Sequence, residues 1–290
     1  MTIQFTSKKV GELLKEGDLR IPSYQRPYKW NRKHIRNLFY DLRDAMGKKE
    51  YQIGSVILHE NDGYLDIVDG QQRLISISLF LHLLDDLENY KGANQLLSAE
   101  FGELSCYHAS ENYNEWENLT QLVGENQAKD ICNFLLENCS VSVITMPQKR
   151  LSEAFQLFDS QNNRGKSLEP HDLLKAYHLR KEDTEDERIV EKWEQFVEDK
   201  DLSLKELFDK HLFRMRRWSR GETGLTNKRY GSYLRFTEDF IDDFKGVDLN
   251  QNFPYLELYR HIENLPMSIT MPIIDGSKFF EYIESAHETI

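Results

Sequence analysis

Residues 68–73 read Val68-Asp69-Gly70-Gln71-Gln72-Arg73, and the fold turns on what this hexapeptide joins. Upstream, Tyr64 to Val68 reads as a short strand. Downstream, Leu74, Ile75, Ile77, Leu79, Leu81, Leu83, Leu84 and Leu87 predict a helix apolar nearly all round, and therefore buried. Asp69 suits the N-cap, and Gln72 follows at capping-box spacing. Arg73 then falls in the first turn, where the helix dipole and the unpaired backbone N–H groups disfavour a cation. An anion bound there removes the conflict, because the N–H groups, two amide side chains and the guanidinium would all donate to it. Phosphate is the obvious candidate. A plainer reading stands beside it: Asp69 and Gln72 cap a core helix and Arg73 pairs with a nearby carboxylate.

Working outward, Asn61-Asp62-Gly63 is a strong turn signal, and Tyr51 to His59 supplies the hairpin's other strand. Asn31 caps a helix with Ile35, Leu38, Phe39, Leu42 and Met46 at helical spacing and Gly47 as its stop. Val10 to Leu14 predicts a short helix, and Arg20-Ile21-Pro22 opens an extended segment. Beyond about Asn89 the pattern is mainly helical, apart from a strand expected at Val141 to Thr145. Lys181 to Arg188 is a charge run, read as a solvated linker or helix end. The expected architecture is α+β: a small mixed-sheet domain over 1–92, then a mainly helical domain over 93–290.

Bulk properties narrow the function. The 290 residues carry a net charge of −12, so any nucleic-acid contact must be confined to a local patch. Cys106, Cys132 and Cys139 are odd in number and lack a CxxC pair, which fits a reducing cytosol better than a disulfide framework or a zinc site. The longest apolar run is broken by Ser and His short of membrane-spanning length, and no signal-peptide pattern opens the chain. A cytoplasmic protein with no membrane partner is expected. The ending Glu284 to Ile290 carries no domain-closing signal and reads as part of a longer chain.

Two further polar clusters interrupt the apolar pattern. In Ile21-Pro22-Ser23-Tyr24-Gln25-Arg26-Pro27-Tyr28-Lys29-Trp30, the prolines exclude a regular helix and fix an extended loop. Tyr24, Tyr28 and Trp30 either anchor that loop in the core, as at least two of them should, or offer a ring for stacking on a base. Arg26 has no local carboxylate before Asp41, which favours an anion ligand. In Asp159 to Ser167, Asn162 and Gly165 supply positive-φ positions and exposed N–H groups, with Arg164 and Lys166 adding charge. This is an anion nest or a basic interhelical loop, and it lacks Walker A spacing.

A separate basic patch gathers Lys210, His211, Arg214, Arg216, Arg217 and Arg220 around Trp218, with Lys228, Arg229 and Arg235 beyond. Arg214, Arg217, Trp218 and Arg220 are the candidate nucleic-acid contacts, with a base stacked on the indole. Equally, these arginines balance the acidic stretches Glu182 to Glu187 and Glu238 to Asp243.

The stretches IPSYQRPYKW (21–30), YQIGSVIL (51–58) with IVDGQQRL (67–74), and FDSQNNRGKSLEPHDLLKAY (158–177) resemble the N-terminal domain family of GmrSD-type modification-dependent restriction enzymes and related phage-defence proteins. The resemblance covers roughly residues 5–180. It implies a ParB/sulfiredoxin-like module that binds and hydrolyses nucleoside triphosphates, with Mg²⁺ as the expected cofactor. Carried over by position, it implicates Gln25 and Arg26, then Asp69, Gly70, Gln71, Gln72 and Arg73, then Asn162, Arg164 and Gly165. Ile75 and Ser76 stand where the family often has threonines, and Asn163 where a serine is common.

On that basis Arg26 and Arg73 clamp phosphate oxygens, with Tyr24, Gly70 and Lys166 beside them, and Gln71 or Gln72 orients the attacking water. Asp69, as an N-cap held by backbone N–H groups, should have a low pKa and serve as cap or metal link rather than base. Family members often carry a nuclease module with a His-rich metal motif. Here His171 and His178 are seven apart and His261 and His287 stand isolated, so a nuclease is expected on another domain or subunit. DNA is the expected further partner, and oligomers are compatible with everything above. The rival function is a non-enzymatic sensor of DNA or of a modified base.

Overall fold

The computed structural model describes residues 3–22, 25–148, 170–179, 187–222, 243–244, 246, 273 and 276–290. It divides into two units, Met1–Lys166 and Ser167–Ile290. The first is a mixed five-stranded sheet with helices, and the second is mainly helical among its described residues.

The sheet is built from β1 (Gln4–Lys9), β2 (Leu19–Arg20), β3 (Tyr51–Asn61), β4 (Tyr64–Asp69) and β5 (Cys139–Met146), in the order β1-β5-β3-β4-β2. The β3–β4 hairpin is antiparallel, as its turn signal predicts, while β5 runs parallel to β3 and antiparallel to β1. The first unit therefore runs on far beyond residue 92. Parallel pairing needs a long crossover, and helices α4 (Lys91–Leu97), α5 (Glu103–Val123) and α6 (Glu125–Glu137) provide it before β5 enters the sheet between β1 and β3. Strand β1, which nothing in the local pattern announces, owes its place to that same β5 ladder.

Helix α1 (Val10–Lys15) buries Val10, Leu13 and Leu14. Helix α2 (Arg32–Ala45) starts at Asn31, whose side chain accepts from the Lys33 N–H at 3.1 Å, and it buries Ile35, Leu38, Phe39 and Leu42. Helix α3 (Gln71–Leu83) is buried on all sides from Leu74 to Leu81, as its apolar composition requires. Its Ser76 and Ser78 hydroxyls are satisfied by donating back to the Gln72 and Leu74 carbonyls. Phe80 stacks on Trp116 of α5 at 4.3 Å between centroids, joining α3 and α5 in one core. All three cysteines are free thiols, and burial pushes Cys132 and Cys139 up to about 12.

The second unit contains helices Pro170–Leu179, Glu187–Glu198 and Ser277–Thr289, and a helical run with a π-helical segment, Leu207–Leu212, ahead of Phe213–Ser219. Its core is aromatic: Trp193, Phe208, Phe244, Phe279 and Phe280 form a chain of ring contacts, and His178 stacks on Phe279 at 3.7 Å. The Nδ1 of His178 accepts from the Gly276 N–H, so its Nε2 is the protonated nitrogen that donates to the Phe244 carbonyl. No helix among the described residues is long and apolar enough to cross a membrane.

Candidate functional site

The β4–α3 junction is shaped by a register shift. Ile57 pairs with Asp69 while Leu58 pairs with Ile67, so Val68 is an extra residue in β4. Such a bulge re-aims the residues that follow it. Asp69 is consequently the last residue of β4, and Gly70 is the N-cap of α3, at φ +97°. This corrects the expected cap. Glycine suits the position twice over: its φ is left-handed, and an added Cβ would stand 2.9 Å from Val56 Cγ2. No side chain caps α3, and no acid lies in its first turn.

The predicted capping box is absent because Gln72 is used elsewhere. Its Oε1 accepts from the Lys29 and Trp30 N–H groups at 2.8 and 3.1 Å, and its Nε2 donates to the Pro27 carbonyl at 3.1 Å. Gln25 does the complementary work upstream, donating to the Ile67 and Val68 carbonyls at 2.8 Å each, where the bulge has disturbed the ladder. These two amides fasten the 25–30 loop across the junction. Tyr28 is fully buried and Trp30 packs against the core, so both rings are anchors. Gln71 differs: it is 5% exposed, and its Oε1 has no partner.

Arg73 folds back over β3. Between Gln52 and Ser55 the β3–β5 ladder also shifts, which throws out Ile53 and Gly54, and Gly54 takes φ +119°. A Cβ at Gly54 would stand 3.0 Å from both terminal guanidinium nitrogens, and Nη1 donates to the Ser55 carbonyl at 3.2 Å. A glycine inside a strand pattern marks a bulge or a close approach, and here it marks both. That signal was available in the sequence, though its partner was not.

Charge sets this place apart. Four of the described arginines in the first unit have carboxylates within 4 Å: Arg20 with Asp66, Arg32 with Glu111, Arg36 with Glu115 and Arg43 with Asp44. Among the described residues Arg26 and Arg73 have none, although both lie close enough to Asp69 to bear on its charge. Burial depresses the Arg73 pKa, and Asp69 opposes that shift. Burial likewise raises the Asp69 pKa, outweighing the Gly70 N–H, Arg73 and Arg26, which all favour the carboxylate. The low pKa expected for an N-cap aspartate is therefore reversed, since Asp69 is not the cap and is shielded from water.

Residues 10–179 match the family model described as GmrSD restriction endonuclease, N-terminal domain. The chain belongs to that family. As a member it is a component of a restriction or phage-defence system. A second model, for a family of unknown function, matches residues 185–290. No match was found among curated proteins.

The GmrSD N-terminal match takes in the whole β4–α3 junction, the 25–30 loop and β5. Tyr24 and the third cluster, with Asn162, Arg164, Gly165 and Lys166, lie outside the described residues. The second-unit patch is described in part. Trp218 is 57% exposed. Arg217 pairs with Glu222, and Arg220 pairs with both Glu222 and Asp243, the latter at 2.6 Å. Those contacts realise the charge balance with the acidic stretch ending at Asp243, while Arg214 forms no ion pair among the described residues.

Proposed function

We propose that this GmrSD-family unit binds the phosphates of a nucleoside triphosphate at the β4–α3 junction and hydrolyses it, and that this turnover regulates a DNA-targeting nuclease carried on another domain or subunit. One observation carries the proposal: among the described residues, Arg26 and Arg73 alone of the first unit's arginines have no carboxylate within 4 Å, and both act on the charge of Asp69, the residue next to the bare N-terminus of α3. A guanidinium without a counter-ion, beside unpaired N–H groups, is an anion receptor. Polyphosphate offers the charge density to match two of them.

In this proposal Arg26 and Arg73 hold phosphate oxygens and offset the charge that develops on them. Gln71, with an unused carbonyl oxygen, orients water; Gln72 holds the loop. The proton that the water gives up leaves on the released phosphate, and Asp69 is kept for a metal ion. No group of three or more candidate metal ligands occurs among the described residues. One carboxylate nevertheless suits Mg²⁺, which takes most of its ligands from phosphate and water, so Asp69 is the residue to hold it. The bound ion would supply neutralisation of the β- and γ-phosphate oxygens.

The engagement of Gln72 favours a second reading, a sensor that grips DNA phosphate without hydrolysis, because it leaves fewer groups to activate water. Phosphate release from each of the four NTPs with Mg²⁺, in wild type and Arg73→Ala and with and without DNA, separates the two. Hydrolysis predicts turnover that Arg73→Ala reduces by roughly 10³-fold, with DNA affinity largely kept. The sensor predicts no turnover and a DNA affinity that depends on Arg73 and falls steeply with salt.

A further inference from the structure

Among the described residues Arg26 has no hydrogen bond or ion pair, yet it sits in an irregular loop, so its position must be imposed by its neighbours. Upstream, Gln25 is tied to β4. Downstream, the loop is tied to a buried polar cluster contributed by α3 and α5. The Tyr28 N–H donates to Ser105 Oγ at 2.9 Å, and the Tyr28 hydroxyl lies 2.6 Å from Ser76 Oγ. Asn112 Nδ2 donates both to the Tyr28 hydroxyl, at 2.8 Å, and to the Trp30 carbonyl, at 2.6 Å. Tyr28, Ser76 and Asn112 are all fully buried.

The proton directions close without ambiguity. Ser76 donates to the Gln72 carbonyl, so it accepts from Tyr28; Tyr28 therefore accepts from Asn112. The chain Asn112 to Tyr28 to Ser76 to Gln72 joins α5 to the first turn of α3, and the 25–30 loop hangs between them. We infer that Asn112, about forty residues from any site motif, is a positioning residue that sets the place of Arg26 from the far side of the loop.

This inference rests on the functional reading above. The test is a double-mutant cycle between Asn112→Ala and Arg26→Ala in the full chain, with Mg²⁺ and inorganic triphosphate as a base-free probe, read by calorimetry. Tyr28→Phe, which deletes only the hydroxyl, is run through the same cycle and replaces Asn112→Ala if that variant does not fold. The expected result is a loss of triphosphate affinity of about tenfold or more in Asn112→Ala, since small misplacements of a charged group are costly. That loss should disappear in the Arg26→Ala background, and a merely structural role would not move that coupling. If Arg26→Ala weakens binding but the Asn112 and Tyr28 variants bind like wild type, or lose the same factor with and without Arg26, the inference is overturned alone. If wild type does not bind triphosphate, or Arg26→Ala binds it equally well, the functional reading falls and takes the inference with it.

Discussion

The guanidinium of Arg73 occupies the space that a side chain at residue 54 would need. The two positions are nineteen apart in sequence, and each accounts for the other's oddity: a glycine in mid-strand and a cation in the first turn of a helix. Gly54→Ala should therefore act on Arg73 before it acts on the core. The obstructing atoms are the end of a flexible side chain, so the guanidinium can move aside, while the left-handed backbone adds a strain of about 1–3 kcal/mol. The expected outcome is a fall in melting temperature together with a loss of triphosphate affinity approaching that of Arg73→Ala. Wild-type affinity in the alanine variant would show that Arg73 does not need its present place.

Arg73 is a half-buried cation with no carboxylate partner among the described residues, so removing its charge should cost the ligand-free protein little. Arg73→Met should melt within about 1 kcal/mol of wild type, because the apolar stem is kept and the desolvation cost is relieved. Added polyphosphate should then distinguish the two. At a hundredfold excess over Kd a ligand stabilises the native state by about 2.7 kcal/mol, which should appear as a thermal shift in wild type and vanish in the methionine variant.

Asp69 supplies a pH signature of definite sign. Its folded-state pKa lies above its ordinary value because burial disfavours the charge. The folded state then holds the proton more tightly than the unfolded one, so this group's contribution falls as pH rises from the usual carboxylate range through the raised pKa. Asp69→Asn should be more stable than wild type at neutral pH, and the difference should shrink on acidification through that window. Denaturant titrations of both proteins across the window measure it, and a difference that grows towards acid would mean that the carboxylate is stabilised by its two arginines after all.

The second-unit arginines should not contribute equally to any DNA contact. Arg220 is held by Glu222 and Asp243, and Arg217 by Glu222, whereas Arg214 has no such pair among the described residues and Trp218 is exposed. Arg214→Ala should lower the slope of log affinity against log salt by about 0.9 if it meets one duplex phosphate. Arg220→Ala should change the slope less. Equal slopes for wild type and Arg214→Ala would remove this face from consideration.

Much of the first unit was legible from local chemistry. The Asn61–Gly63 turn fixed the β3–β4 hairpin, Asn31 fixed the start of α2, and the unbroken apolar run after Arg73 made α3 a buried helix. What escaped was long-range. Nothing near Gln4 tells that it will pair with Thr145, and nothing near Gly54 names Arg73 as its neighbour. The displaced cap had a different origin: Asp69 has the right side chain for an N-cap, but the Val68 bulge and the left-handed Gly70 move the helix start by one residue. The plainer reading of Arg73, a pairing with a local acid within ion-pair distance, is the one that the geometry does not bear out.

The late arrival of β5 has a consequence for biogenesis. Until residues 139–146 leave the ribosome, β3 has a bare edge along the side where Ile53 and Gly54 bulge, and the hairpin bearing the conspicuous motif has nothing to close against. Pairings that span some ninety residues form slowly, so competence should appear late and all at once, after α6 has emerged. A peptide cut at the end of α3 would keep every signature residue of the turn and still be an open, self-associating edge rather than a small working receptor.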